Sequence, residues 1–282
     1  MIKPNDTALR LFEILSASGI EAYAVGGFVR DSLMVLPVHD IDFAVSASPE
    51  ETKRLLSPFA KMIDTGLKFG TVTAVFEGVP FELTTFRADC GIKDGRHPQS
   101  VSFVRDIVSD LSRRDFTVNA MAWSPEKGLV DPFGGREDIA KRLIRCVGEP
   151  SLRFEEDALR ILRSLRFMSR LGFRLDDETA KALRQNAFRL KTISRERIFS
   201  ELSGIICGKN ACDTVTEYAD VISVALPELF AGGAFMLKRL PDELHLRFAA
   251  LFKNADDAEN GMFSLKSPRK LRERVVALRR LI

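Results

Sequence analysis

The sequence predicts an α+β head with a small mixed sheet, followed by an all-helical remainder. Three observations carry that expectation. Runs rich in β-branched and aromatic residues fall at residues 21–25, 71–76 and 81–86, all in the first half. Helical spacing is interleaved with them. From about Leu152 onward apolar residues keep to helical spacing and strand signals vanish. The change of character sets a boundary near Gly148-Glu149-Pro150, giving a head over residues 1–148, a helical neck over 149–205 and a further helical body segment over 206–282.

Residues 6–17 place Leu9, Leu11, Phe12 and Leu15 at helical spacing and stop at Ser18-Gly19, a first helix with a C-terminal signal. Glu21–Val25 reads as a strand entering Gly26-Gly27, and Phe28–Leu36 as a helix opening from the glycines. Ser48-Pro49-Glu50-Glu51 is a capping box with proline at the first helical position, so a helix runs to about Leu56. Thr71–Phe76 and Phe81–Phe86 flank Glu77-Gly78-Val79-Pro80 as a hairpin. Asp89–Gln99, with Gly91, Lys93, Asp94, Gly95, Arg96, His97 and Pro98, has no periodicity and reads as a mobile loop of functional size.

With 45% hydrophobic and 29% charged residues, the chain is neither disordered nor collagen-like. Its formal charge of +3 is unevenly spread. Residues 151–200 hold 12 basic against 7 acidic residues, and residues 266–282 hold 7 against 1. Such clustering suits a polyanionic partner; solvated helix faces are the plainer alternative. Cys90, Cys146, Cys207 and Cys212 form no metal-ligand spacing with the three histidines, so reduced, mostly buried thiols are expected. No basic-then-apolar leader and no apolar run of ~18 residues is present, which makes the cytoplasm the default and membrane insertion unsupported.

The most informative feature is His39-Asp40-Ile41-Asp42-Phe43-Ala44-Val45. Side chains alternate along a strand, so Asp40 and Asp42 share one face while Ile41 and Phe43 take the other. Two carboxylates in one small space repel unless a cation bridges them, and hard oxygen ligands favour Mg²⁺ completed by water and phosphate oxygens. That chemistry is phosphoryl or nucleotidyl transfer. Gly26-Gly27 before a helix start bearing Arg30 offers an anion site, although a double glycine alone is equally a tight turn. Neither GxGxxG nor a P-loop occurs. Glu82, on a neighbouring strand, is placed to give a third carboxylate or an outer contact.

Arg113-Arg114-Asp115-Phe116-Thr117-Val118-Asn119-Ala120 is either a local ion pair on a turn or a triphosphate clamp, for which the guanidinium fork of Arg114 is suited. In Glu155–Arg166, Asp157, Arg160, Arg163 and Arg166 follow an i, i+3 row, with Ala158, Ile161, Leu162 and Leu165 turned inward. Surface ion pairs on a helix would explain this segment by itself. An Asp/Arg pair can also satisfy the Watson–Crick edges of cytosine and adenine, whose amino groups donate, and reject uracil and guanine, which present a carbonyl there.

Taken together, GGFVRD, HDIDF, RRDFTVNAMAW, DPFGGREDI, EEDALRILRSLRF and ISRERIFSEL resemble the bacterial class II CCA-adding tRNA nucleotidyltransferase family, almost continuously over residues 20–205. The resemblance implies a polymerase-β-like nucleotidyltransferase head, a helical neck, and body and tail domains that hold tRNA. It implies addition of C, C and A to the tRNA 3′ end from CTP and ATP with Mg²⁺. Carried over by position, Asp40 and Asp42 become the catalytic metal-binding pair, and Gly27, Arg30 and Arg114 nucleotide contacts. Asp157 and Arg160 become the base readers, Arg163 and Arg166 the rest of the nucleotide pocket, and Asp89–Gln99 the element that helps switch from CTP to ATP. On the family's usual length the chain stops within the body, after the basic stretch Lys266–Arg280, and Leu246–Asp257 lacks the His-Asp pair of a metal phosphohydrolase. A poly(A) polymerase, a CC-only or A-only enzyme, a small-molecule nucleotidyltransferase and an inactive RNA-binding fragment are the rival readings.

Overall fold

The computed structural model describes residues 2–38, 40–92 and 98–281. The chain divides into two compact units, one of residues 1–141 and 145–148, the other of residues 142–144 and 149–282.

The first unit begins with α1 (Asp6–Ala17), whose start is capped by the Asn5 carboxamide accepting from the Ala8 N–H at 2.8 Å. It continues through β1 (Ala22–Val25), α2 (Gly27–Leu33), β2 (Asp42–Val45), α3 (Pro49–Leu56), β3 (Lys61–Gly66), β4 (Thr71–Phe76) and β5 (Val79–Thr85). After these come β6 (Arg87–Ile92), β7 (Pro98–Phe103), α4 (Ile107–Ser112), a 3₁₀ turn at Thr117–Asn119, β8 (Ala122–Ser124), β9 (Gly128–Val130) and α5 (Gly135–Lys141). The sheet has seven strands in the order β3-β4-β5-β2-β1-β8-β9. It is mixed, because β2 and β5 run parallel while the other neighbours are antiparallel.

Both faces of the central strands are buried, and alternation decides which residue goes where. Phe43, Val45, Phe81 and Leu83 join Leu11, Phe12 and Leu15 of α1 in one apolar cluster. Ala44, Tyr23 and Val25 join Phe86 with Ile107 and Leu111 of α4 in the other. Hence Asp42 and Glu82, each one step from these residues in β2 and β5, belong to the α4 face of the sheet.

The predicted hairpin forms with a tighter turn, Val79 and Pro80 already belonging to β5, and the Ser48 hydroxyl caps α3 by accepting from the Glu51 N–H. The mixed sheet forms as expected and also takes in β3, β8 and β9, which are short or polar and leave no apolar alternation to read. Two expectations need correction. The expected loop at Asp89–Gln99 has paired ends: β6 and β7 form a separate antiparallel ladder, held by backbone bonds that need no hydrophobic pattern. Residues 93–97 of that segment, like His39 before Asp40, lie outside the described residues. Of the cysteines, Cys146 is buried, whereas Cys207 and Cys212 are half-buried and free.

The second unit opens with β10 (Leu143–Ile144), then α6 (Pro150–Glu156) and α7 (Leu159–Leu171). Next come β11 (Arg174–Leu175), α8 (Asp177–Asn186), α9 (Arg195–Ile206), α10 (Ala211–Glu217), α11 (Ala219–Ala225), α12 (Leu244–Ala250), α13 (Ala255–Ser264) and α14 (Arg269–Leu281). The two-residue parallel bridge between β10 and β11 departs from the all-helical expectation. So does the row from Asp157 to Arg166, which is not one helix. Asp157 is extended (φ −147°, ψ 102°), and its Oδ1 accepts from the Leu159 N–H at 3.0 Å. An aspartate competes with the helix for backbone donors, which ends α6 and starts α7. Among the described residues, no helix is long and apolar enough to cross a membrane.

Candidate active site

Asp42 is the first residue of β2, its side chain reaching solvent while its carboxyl is partly shielded by neighbouring groups, and Asp40 lies just ahead of the strand, exposed. Parallel pairing sets Phe43 beside Leu83, which brings Glu82 next to Asp42 on the same face. The Asp42 carboxyl is pushed above the ordinary carboxylate range, first by loss of water around it and next by the Glu82 charge. Arg114 pulls it down and Asp40 adds a smaller push upward. Like charges therefore gather here with incomplete compensation. Among the described residues no group of three or more His, Cys, Asp or Glu side chains is placed to hold a metal ion. An open carboxylate pair with a third acid beside it suits an ion that keeps water and phosphate ligands, as Mg²⁺ does.

The cationic side is built around the turn after β1. Gly26 lies at φ 67°, ψ −124°, a conformation only glycine adopts without strain, and it starts α2. With seven residues α2 is barely two turns, so the arginines rather than the helix dipole must hold an anion. Arg30 is fixed by a fork onto Asp31 (Nε–Oδ1 2.8 Å, Nη2–Oδ2 3.0 Å), and its Nη1 donates to Asn119 Oδ1 at 2.5 Å. Asn119 in turn donates to Asp115 Oδ1 at 3.3 Å. A Cβ on Gly27 would stand 3.6 Å from Arg30 Nη2, so the guanidinium hangs over that glycine.

Arg114 hangs over the other one: a Cβ on Gly26 would meet its Nη1 at 3.1 Å. Its Nη2 donates to Asp110 Oδ2 at 3.2 Å, while its buried Nε has no hydrogen-bond partner among the described residues. Sequence reading missed Asp110, Asn119 and Asp31 as supports. The signal for Asp110 was its spacing, three and four residues before Arg113 and Arg114 on one helical turn.

In the second unit Asp157 and Arg160 do not pair with each other. Asp157 Oδ2 accepts from Arg197 Nη2 at 2.7 Å, and Arg160 Nη1 donates to Glu156 and to the Arg153 carbonyl. Arg166 Nε donates to Glu201 Oε2 at 2.6 Å, and Arg163 and Arg166 both stack near the Phe167 ring, at 5.8 and 5.0 Å. Gly204 makes room for this on α9, since a Cβ there would sit 2.4 Å from Arg166 Cδ. Arg197 and Glu201, in the ISRERIFSEL stretch, are thus the partners that a local reading of residues 155–166 could not supply.

Comparison with known proteins bears on this arrangement. The family described as "Poly A polymerase head domain" matches residues 22–145, and that described as "Probable RNA and SrmB- binding site of polymerase A" matches residues 172–221. The CCA-adding enzyme of Ligilactobacillus salivarius is 38% identical over 281 residues, covering 96% of this chain and 69% of that protein. The chain belongs to the CCA-adding enzyme family. A CCA-adding enzyme from Geobacillus thermodenitrificans is 46% identical over 237 residues, 84% of this chain and 58% of its own length. The crystal structure of the Bacillus stearothermophilus CCA-adding enzyme in complex with CTP matches with a TM-score of 0.87 at 37% identity, over 100% of this chain and 70% of that one. This chain thus spans little more than half the length of the Geobacillus relative.

Proposed function

We propose that the chain adds C, C and A to the 3′ end of tRNA from CTP and ATP, without a nucleic-acid template and with release of pyrophosphate. The observation that carries this reading is the grouping of Asp42 and Glu82 on adjacent parallel strands, with Asp40 just ahead of β2 and the Arg114 guanidinium over the Gly26 turn, in a chain whose structural relative is described with CTP. The 3′ hydroxyl attacks the α-phosphorus of the incoming nucleotide and pyrophosphate leaves in line. Arg30 and Arg114 hold triphosphate oxygens, and Gly26 and Gly27 let those oxygens approach the backbone. Asp40 and Asp42, with Glu82 beside them, are the residues that would hold Mg²⁺. When bound, such an ion lowers the pKa of the attacking hydroxyl and offsets charge on the transferring phosphoryl group.

Asp157 and Arg160 read the base, with Arg163 and Arg166 completing the pocket. Asp157 accepts from the exocyclic amino group that cytosine carries at C4 and adenine at C6, positions where uracil and guanine carry a carbonyl. Because Arg197 already occupies one oxygen of Asp157, the carboxylate is oriented before the base arrives. The cytoplasm is the compartment this reading implies.

Extension of tRNA lacking its CCA end tests the reading, with products resolved by length. CTP alone should add two residues, and CTP with ATP three. Long adenylate tails on a generic RNA would make the protein a poly(A) polymerase instead. Failure to extend tRNA, despite binding CTP and RNA, would leave an inactive RNA-binding protein.

A further inference from the structure

Asp110 is among the most deeply buried ionisable side chains of the first unit, 1% exposed, and nothing in the catalytic scheme uses it. Its two oxygens are divided. Oδ1 accepts from Arg113 Nε and Nη2 at 3.1 and 3.0 Å, and from the backbone N–H of Arg87, at the start of β6, at 3.3 Å. Oδ2 accepts from Arg114 Nη2 at 3.2 Å. One buried negative charge thus serves two guanidiniums unequally. Arg113 places two donors on it, whereas Arg114 is tethered through a single nitrogen.

That single tether sets how the rest of Arg114 is presented. With Nη2 tied back to α4, Nη1 comes over the Gly26 turn and Nε stays buried without a partner among the described residues. Val25, just before the Gly26 turn, pairs with Asp42 of β2, so the guanidinium over that turn lies beside the acidic cluster. Without the tether, Arg114 would be drawn toward the acidic cluster of Asp42, Glu82 and Asp40 by simple attraction. There it would neutralise the carboxylates instead of meeting a triphosphate.

We infer that Asp110 is a positioning residue for nucleotide binding: it withholds Arg114 from the proposed catalytic carboxylates and presents its Nη1, over the Gly26 turn, to the incoming triphosphate. This rests on Arg114 being a nucleotide contact, as proposed above. It assigns the two adjacent arginines different duties, Arg113 neutralising Asp110 and Arg114 meeting ligand.

The test is a double-mutant cycle on the full chain, with CTP affinity measured by titration and folding followed by thermal melting. Asp110→Asn should weaken CTP binding at least tenfold in the parent and less than twofold in an Arg114→Ala background, while the melting temperature falls in both. Equal loss of CTP affinity in both backgrounds would make Asp110 merely structural and overturn the inference. Should Asp110→Asn fail to fold, Asp110→Glu keeps the charge but moves the carboxylate by one methylene. It should fold and still bind CTP several-fold more weakly, and unchanged affinity would overturn the inference. If Arg114→Ala itself leaves CTP affinity unaltered, the parent reading of Arg114 falls. If Arg114→Ala weakens binding and neither Asp110 variant does, only the positioning role falls.

Discussion

The two units handle charge in opposite ways. In the first, Arg30 is matched by Asp31 and Asn119, but Asp42 is crowded by Glu82 and Asp40, and Arg114 keeps a buried Nε unpaired among the described residues. In the second, the corresponding side chains are already matched, Asp157 with Arg197, Arg160 with Glu156 and Arg166 with Glu201. An unmatched site stores electrostatic cost that a metal and a triphosphate relieve, so it can bind strongly through a few groups. A matched site gains little net charge interaction from a ligand and works instead by shape and hydrogen-bond polarity. The first suits phosphate and catalysis, which are common to every nucleotide, and the second suits choosing between bases.

The hardest test of that contrast is Asp42→Ala. Incorporation of both CTP and ATP should fall by about 10³-fold or more, the scale of losing metal stabilisation of a transferring phosphoryl group. The melting temperature in metal-free buffer should not fall, because the substitution removes a member of a repelling cluster. A variant that melts lower and keeps its turnover would show that the acids are structural.

Next in size is Asp157→Ala. Loss of one oriented acceptor should reduce discrimination against UTP and GTP by about tenfold or more, in keeping with ~1–3 kcal/mol for a buried polar mismatch. CTP turnover should change less than selectivity does, as read from single-nucleotide extension with each of the four triphosphates. Unchanged selectivity would remove the base-reading role and with it the division of labour between the units.

Gly26→Ala tests whether the first site depends on backbone shape. The φ of 67° and ψ of −124° strain any side chain, and the new methyl would press on Arg114 Nη1 at 3.1 Å. Strain of about 1–3 kcal/mol is expected, seen as a lower melting temperature together with roughly tenfold weaker CTP binding. Destabilisation with CTP affinity intact would reduce the turn to scaffold.

What could be read from the sequence follows from how local each signal is. The capping box at Ser48, the hairpin around Gly78 and the alternation that groups Asp42 apart from Phe43 depend on neighbours only, and the structure keeps them. The closeness of Glu82 to Asp42 depends on β2 and β5 pairing in parallel, which no local pattern states. Arg197 reaches Asp157 from another helix, so the row from Asp157 to Arg166 looked self-contained when it was not. The break at Asp157 was missed because its carboxylate caps α7, a role that competes with helix continuation only once the next turn is in place. The β6–β7 ladder was missed because a polar strand pair shows no hydrophobic period.

The smallest predicted effect lies before β2, the strand that carries Asp42. Val35 follows α2 at φ 56°, where a β-branched side chain is strained, and the backbone bonds Val35 N–H to Ser32 O (3.2 Å) and Leu36 N–H to Asp31 O (2.9 Å) close the helix end as a glycine normally would. The side chain is 88% exposed, so it contributes little packing in return. Val35→Gly removes a left-handed penalty of about 1–2 kcal/mol and adds back roughly 0.5–1 kcal/mol of unfolded-chain entropy. The net gain should be at most about 1.5 kcal/mol, a rise of no more than roughly 3–6 °C in melting temperature. CTP incorporation should be unchanged, because Val35 touches none of the charges described. If the variant instead melts higher and loses turnover, the strained helix end is holding Asp40 and Asp42 in place, and the unmatched charge of the first unit extends to its backbone.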